Sequence, residues 1–391
     1  MSAEWTLHPL GELATFKYGK FLAKADLDPI GFPVFSGYGI VGYLPTYQFE
    51  RPQLVIVCRG EGGTGDVKMS PAKCSITNLS IVLTPDETKV AKGFLFWALR
   101  GSDTHRLRTG SAQAQIVIGS LKKLGVMAPR SMGEQIGIAA VLDSLDDRIA
   151  LLRETNATLE AIAQTLFKSW FVDFDPVRAK QQGLAPTGMD EATAALFPNG
   201  FEDSALGPLP AGWQVGELQD LLVLQRGFDL PAQDRIPGAF PIIAASGPSG
   251  THVDAMAKGP GVVTGRSGVL GRVFLELGDY WPLNTTLWVK EFRAATPCYA
   301  YEVLKRLDFQ AFNAGSAVPT LNRNHIHGLP YVVPARRCID TYEVIALQMH
   351  ERVRVNEQQA QTLATLRDTL LPRLISGQLR LPEAEASVAQ A

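Results

Sequence analysis

Three glycines, Gly60, Gly62 and Gly65, stand in a GxGxxG spacing directly after the apolar run Leu54-Val55-Ile56-Val57-Cys58. A dinucleotide site needs that spacing between a strand and a helix whose N-terminus receives the pyrophosphate. Here DVKMSPAKC follows, with Pro71 where the helix would run, so the glycines predict a turn. Phe35-Ser36-Gly37-Tyr38-Gly39 has the FxGxG form of S-adenosylmethionine binders, but the chain has no Pro-Pro pair and so no NPPY-type or DPPY-type methylation motif. Pro85-Asp86 and Glu87-Thr88-Lys89 contain the pieces of a PD-(D/E)xK nuclease. That site needs metal carboxylates on separate strands, and here they are adjacent. His325 and His327 lack a third ligand nearby, and Cys58, Cys74, Cys298 and Cys338 show no CxxC or Cys/His spacing. These residues predict no catalytic or metal centre.

The elements around them are written twice. Trp5, Gly19, Phe32-Pro33 and Gly42 recur as Trp213, Gly227, Phe240-Pro241 and Gly250, each 208 residues later. Asn78 matches Asn284, Gly110-Ser111-Ala112 matches Gly315-Ser316-Ala317, and Pro129 matches Pro334, at offsets of 205 or 206. A period this long indicates a duplicated domain, not a solenoid. Short β-branched or aromatic segments (FPVF, QLVIVCR, NLSIVL and their partners FPII, GVVTGR, TTLWVK) predict β-rich halves. Helices are expected at FLFWALR and YEVLKRLDF, and each half closes with a GSA turn and a strand running to its proline.

Past each proline the period changes to seven. Ile138, Leu145, Leu152, Leu159 and Leu166 occupy one seam position, with Leu142, Ile149, Asn156 and Ala163 at the other. The second copy places Tyr342, Met349, Asn356, Leu363 and Leu370 against Ala346, Val353, Ala360 and Arg367. Two helices, each roughly 55 Å long, are expected to pair as an antiparallel coiled coil, with Asn156 and Asn356 as polar seam residues that fix register. Burial of each helix on its own domain is the alternative.

The 391 residues, 46% of them hydrophobic, suffice for two domains. A net charge of −2 conceals a partition: residues 1–130 carry +5 and 213–337 carry +2, whereas 131–212 carry −7 and 338–391 carry −2. That is compatible with globular parts touching phosphate and helices touching protein. Neither a signal peptide nor an apolar run of membrane-spanning length is visible, and the cysteines fit a reducing compartment, so a cytoplasmic, non-membrane protein is expected.

Several segments also resemble a known family. GEQIGIAAVLDSLDDRIALLRETNATLEAIAQTLFKSWFVDFDPVRAK, GMDEATAALFPNGFEDSALGPLPAGW and LRDTLLPRLISGQL are similar to the central and carboxyl-terminal regions of specificity subunits of type I restriction–modification enzymes. With the duplicated halves, the resemblance spans nearly the whole chain. One departure is the start of the second helix, ARRCIDTYEV, which lacks the usual Pro-Leu-x-Glu-Gln type of opening.

The resemblance implies an α+β fold with two pseudo-repeated, β-rich target recognition domains separated by two long antiparallel coiled-coil helices. On that reading residues 1–130 and 213–337 are the two domains, 131–172 and 338–377 the helices, 173–212 a linker and 378–391 a tail. It implies a non-catalytic reader of a bipartite sequence in double-stranded DNA. Two modification (methyltransferase) subunits and the restriction (translocase/nuclease) subunits would be its partners. No cofactor would bind this chain; S-adenosylmethionine, ATP and Mg would belong to the partners.

Polar residues on turns between strands are then the candidates for DNA contact. Arg59 and Arg266 each follow an apolar strand and precede a Gly-rich turn, from which a guanidinium reaches phosphate or a guanine edge; a surface arginine capping a turn is the alternative. Tyr38, Gln113, Asn322, Arg323 and His325 are candidate base readers, and His252 a candidate backbone contact. Asn78 and Asn284 serve equally well as turn residues. Leu145, Ile149, Asn156, Leu159, Met349, Val353, Asn356 and Leu363 are the expected helix-pairing or subunit contacts. Two other functions stay open: a self-sufficient DNA methyltransferase with an unrecognised site, and a coiled-coil adaptor that binds no DNA.

Overall fold

The computed structural model describes residues 4–60, 62–110, 114–312 and 319–390. The chain mixes helix and sheet and divides into two compact units, one of residues 1–153 with 357–391, the other of residues 154–356. Gln113 and both GSA segments fall wholly or partly outside the described residues.

In the first unit, Ala14–Tyr18, Ser80–Pro85, Leu54–Val57 and Val67–Met69 form a four-stranded antiparallel sheet in that order. A second sheet pairs Phe32–Phe35 with Ile40–Leu44 and, in parallel, with Ser75–Ile76. Trp5–Pro9 pairs with the closing strand Gly125–Pro129. Gly19 lies at the crossing of the sheets. A Cβ there would lie 2.1 Å from the Thr77 carbonyl oxygen, so no larger residue fits without moving backbone. The expected helix is Lys92–Arg100, which buries Phe94, Leu95, Trp97 and Leu99.

The second unit repeats this strand order. Leu222–Arg226, Thr286–Phe292, Gly261–Gly265 and Val273–Glu276 make the four-stranded sheet. Phe240–Ala244 pairs with Gly247–His252 and, in parallel, with Trp281–Pro282. Gln214–Glu217 pairs with Pro330–Val333. Gly227 meets the same restriction as Gly19, with the Leu283 carbonyl oxygen 2.2 Å from a built Cβ. The second helix expected from sequence is Pro297–Lys305; the RLDF of YEVLKRLDF falls beyond it, Phe309 opening a short 3-10 turn.

Two 40-residue helices, Met132–Phe171 and Arg336–Ile375, contribute to both units. Within the first unit, Ile138, Leu142, Leu145 and Ile149 share a core with Ala360, Leu363, Leu370, Leu371 and Leu374. Asp146 there is paired with both Arg367 and Arg100. Within the second unit, Tyr342 donates its hydroxyl to the Ala163 carbonyl at 3.2 Å. The Asn356 amide donates to the Asn156 side-chain oxygen at 2.8 Å, and the Asn156 amide to the Val353 carbonyl at 3.2 Å. Residue numbers rise on one helix as they fall on the other, so in this unit the segments run antiparallel.

Of the named seam positions, Leu152, Leu159, Leu166, Met349 and Arg367 are half-buried and the others are buried. Past Ala163 the buried face passes through Phe167, Trp170 and Phe171, a stripe of straight-helix period that packs on Tyr299, Tyr342, Phe197 and Trp213. On the other helix, His350 takes the buried place next to Met349. A globular aromatic core, not a facing seam, governs these turns.

The segment expected as a linker is folded too. Asp175–Gln181 and Glu191–Ala195 are helical, Phe201–Glu202 pairs with Leu209–Pro210, and Val177 and Phe197 are buried in the second unit's core. The expected tail contains the helix Leu381–Ala389, whose Ala384 is buried in the first unit.

Candidate nucleic-acid interface

In the second unit, Arg226 ends the first strand of the main sheet and faces Leu287 in register. Arg266 follows the central strand Gly261–Gly265. Its backbone N–H donates to the Thr285 carbonyl at 2.8 Å, and its carbonyl accepts from Leu321 N–H at the same distance. That second bond ties the chain after the undescribed segment to the strand end. Asn322 then caps the five-residue helix Arg323–His327, its side chain accepting from Asn324 N–H at 3.0 Å. Arg226, Arg266, Leu287, Thr320, Leu321, Asn322 and Arg323 consequently line one open cleft of about 500 Å³. Three of the residues read from the sequence are thus brought together, and Arg226 was missed by that reading. His325 is exposed on the same short helix.

Two of the cleft arginines differ electrostatically from the third. Arg226 Nη2 donates to both carboxylate oxygens of Asp229, at 3.1 and 3.2 Å. Asp229 is held in turn by the Asn284 amide. Arg266 and Arg323 form no salt bridge among the described residues. Asn284, read as either a turn residue or a DNA contact, therefore supports a carboxylate.

The corresponding place in the first unit is built from aromatic residues. The Arg59 guanidinium lies 5.6 Å from the centroid of the Tyr18 ring, a cation–π distance. Tyr38 donates its hydroxyl to the Arg59 carbonyl at 3.0 Å. Gly60 and Gly63 leave room for the Tyr38 side chain, since a Cβ would lie 2.6 Å from its hydroxyl at Gly60 and 2.6 Å from its ring at Gly63. Gly60, Gly62 and Gly65 all have positive φ, as tight turns favour, and the strand Val67–Met69 follows them where a phosphate-binding helix would have to start. Tyr38 and Arg59 thus share a site with Tyr18, which carried no sequence signal of its own. Gln113 is outside the described residues.

His252 is not a candidate DNA contact. It is buried at 6% exposure, its Nδ1 accepts from Ile236 N–H at 3.1 Å, and its ring meets Trp281 edge-on at 5.1 Å. The strand Gly247–His252 turns this side chain inward, leaving no surface from which to reach a phosphate.

No group of three His, Cys, Asp or Glu side chains among the described residues is placed to hold a metal. The four cysteines are buried, and burial pushes the Cys58 and Cys338 thiols up to about 11, away from thiolate chemistry. Asp86 forms a turn with Thr88 and Lys89 rather than a metal site. Among the described residues, no helix is long and apolar enough to cross a membrane.

Comparison with known proteins agrees with this architecture. Residues 2–161 match the family model of the type I restriction modification DNA specificity domain. The chain is 23% identical over 301 residues to the type I restriction enzyme MjaIX specificity subunit of Methanocaldococcus jannaschii, covering 70% of this chain and 65% of that protein. It is 40% identical over 122 residues to the HindI specificity subunit of Haemophilus influenzae, covering 30% of this chain and 26% of that protein. The chain thus spans less than two thirds of the length of these curated relatives. In fold it is similar to the type I restriction–modification S subunit from M. genitalium, with a TM-score of 0.70 at 16% identity over 95% of this chain and 96% of that one. The chain is thus similar to type I restriction–modification specificity subunits, in sequence over part of its length and in fold over nearly all of it.

Proposed function

We propose that this chain is the non-catalytic DNA-reading subunit of a type I restriction–modification complex. Its duplicated β-rich units would each read one part of a bipartite target, and its two long helices would pair as an antiparallel coiled coil and scaffold the partners. The observation that carries this reading is the cleft in which Arg266, Asn322 and Arg323 converge with Arg226. The guanidinium groups of Arg266 and Arg323, which have no salt-bridge partner among the described residues, suit phosphate, and flanking amide and guanidinium forks suit base edges. The Tyr18, Tyr38 and Arg59 cluster is the counterpart in the first unit. S-adenosylmethionine, ATP and Mg would act on the modification and restriction subunits, because this chain has no Asn/Asp-Pro-Pro-aromatic motif to hold a flipped adenine.

The test is selection from a random double-stranded DNA pool by the full-length chain purified with its modification subunits, alongside a methylation assay of the chain alone. One two-part motif with a fixed gap, and no methyl transfer by the chain alone, is the expected result. No enriched sequence would favour the adaptor, and methylation by the isolated chain would show a self-sufficient enzyme.

A further inference from the structure

Resting on the reading just given, we infer that Arg226, clamped by Asp229 and Asn284, reads a guanine in the half-site of the second unit, while Arg266 and Arg323 contact phosphate. Charge separates the three arginines. A phosphate contact gains energy by neutralising the phosphate and releasing condensed counterions. Arg226 already has a carboxylate partner, Asp229, in a half-exposed ion pair at 3.1 Å. A phosphate brought to it would also approach that carboxylate and be repelled. A guanine edge carries no net charge and offers N7 and O6 as two acceptors. Arg226 therefore gains more from a base than from a phosphate.

Geometry agrees. Both carboxylate contacts go to Nη2 alone, and among the described residues Nη1 and Nε make no hydrogen bond. Nη1 and the second Nη2 proton remain as a forked pair of donors on a residue that lines the cleft. Asp229 fixes one edge of the guanidinium plane, and the Asn284 amide fixes Asp229. A fork held in this way loses less rotamer entropy on binding than a free arginine would. Arg266 and Arg323, in the same cleft but without a carboxylate partner, keep the full charge that a phosphate contact uses.

The repeat supplies an internal control. At the offset of 208, Tyr18 stands at the place of Arg226 and Phe21 at that of Asp229. The clamp is absent from the first unit although the surrounding sheet order is the same. Within this chain the clamp therefore varies independently of the frame, as a specificity element should.

The measurement is enrichment from a random DNA pool by the full chain with its modification subunits, repeated for Arg226→Gln, Arg226→Lys, Asp229→Asn, Arg266→Gln and Arg323→Gln. For Arg226→Gln and Arg226→Lys, one guanine of one half-site should fall from roughly tenfold or greater preference to less than about twofold. The other half-site and the slope of affinity against salt should stay as in the unmodified chain. Asp229→Asn should weaken the same preference, and Arg266→Gln or Arg323→Gln should weaken all sequences alike and flatten the salt slope by about one unit each. Arg226→Lys retains charge and length, so it reports on the fork even if the glutamine variant does not fold. An unaltered motif in the Arg226 variants, a changed motif in both half-sites, or uniform weakening with a flatter salt slope would each overturn the assignment while leaving the DNA-reading role standing. Absence of any enriched motif with the unmodified chain would overturn both.

Discussion

His350 is the residue whose environment departs furthest from its sequence. It is 8% exposed on a helix read as an amphipathic coil, its Nε2 is without a hydrogen-bond partner among the described residues, and Tyr301 meets it edge-on. Burial, aided by Lys305, lowers its pKa to about 4. Above pH 6.5 neither folded nor unfolded His350 holds a proton, so it contributes no pH dependence there. Between pH 6.5 and 4 the unfolded chain takes up a proton that the folded chain refuses, and stability falls. At about 1.4 kcal/mol per pKa unit, the loss approaches about 3 kcal/mol by pH 4. Burial raises the pKa of nearby Glu302, which acts in the opposite sense. Replacing His350 with Leu should therefore flatten the decline of the urea midpoint between pH 6.5 and 4; an equally steep decline would mean that other groups set it.

At the scale of elements, the Asn156 and Asn356 pair in the second unit is the informative feature. Both side chains are buried, and they bond to each other and to the Val353 carbonyl, while the Asn356 side-chain oxygen has no partner. Asn356→Leu would leave the Asn156 oxygen buried without a donor, at a cost of about 1–3 kcal/mol. The double variant Asn156→Leu/Asn356→Leu removes both polar groups and should recover most of that loss in urea unfolding; additive losses would show that the pair is not coupled. These asparagines were legible because polar residues interrupting a heptad are conspicuous. Gly19 and Gly227 were legible because they stand 208 residues apart in matching surroundings, and each faces a backbone carbonyl that tolerates nothing larger. The folded segment 173–212 was not legible, since Val177 and Phe197 are isolated apolar residues among Pro and Gly, with no period to betray their burial. The Arg226–Asp229 clamp was also hidden, because Tyr18 and Phe21 stand at the matching positions 208 residues earlier. His252 misled because its inward direction depends on strand register with Phe240, which the spacing alone does not fix.

At the scale of the whole molecule, the two units should be separable as readers. Exchanging residues 1–130 for the matching part of a related specificity subunit should change one part of the recognised DNA and leave the other unaltered, as read by sequencing of methylated adenines in cells carrying the partner subunits. Loss of both parts in a hybrid with native-like circular dichroism would show that the units do not read independently.

The first unit is discontinuous: residues 357–391 complete a core begun by residues 1–153. On the ribosome, Ile138, Leu142, Leu145 and Ile149 emerge more than two hundred residues ahead of Leu363, Leu370 and Leu374, which cover them. At translation rates of about 5–20 residues per second, that apolar face waits on the order of ten to forty seconds for its partners. Unfinished chains should therefore be the aggregation-prone species of this protein. A chain stopped after Asn356 should be largely insoluble when made alone, and supplying residues 357–391 as a separate peptide during synthesis should raise its soluble yield several-fold. Full solubility of the truncated chain would show that the first unit closes without its distant last segment.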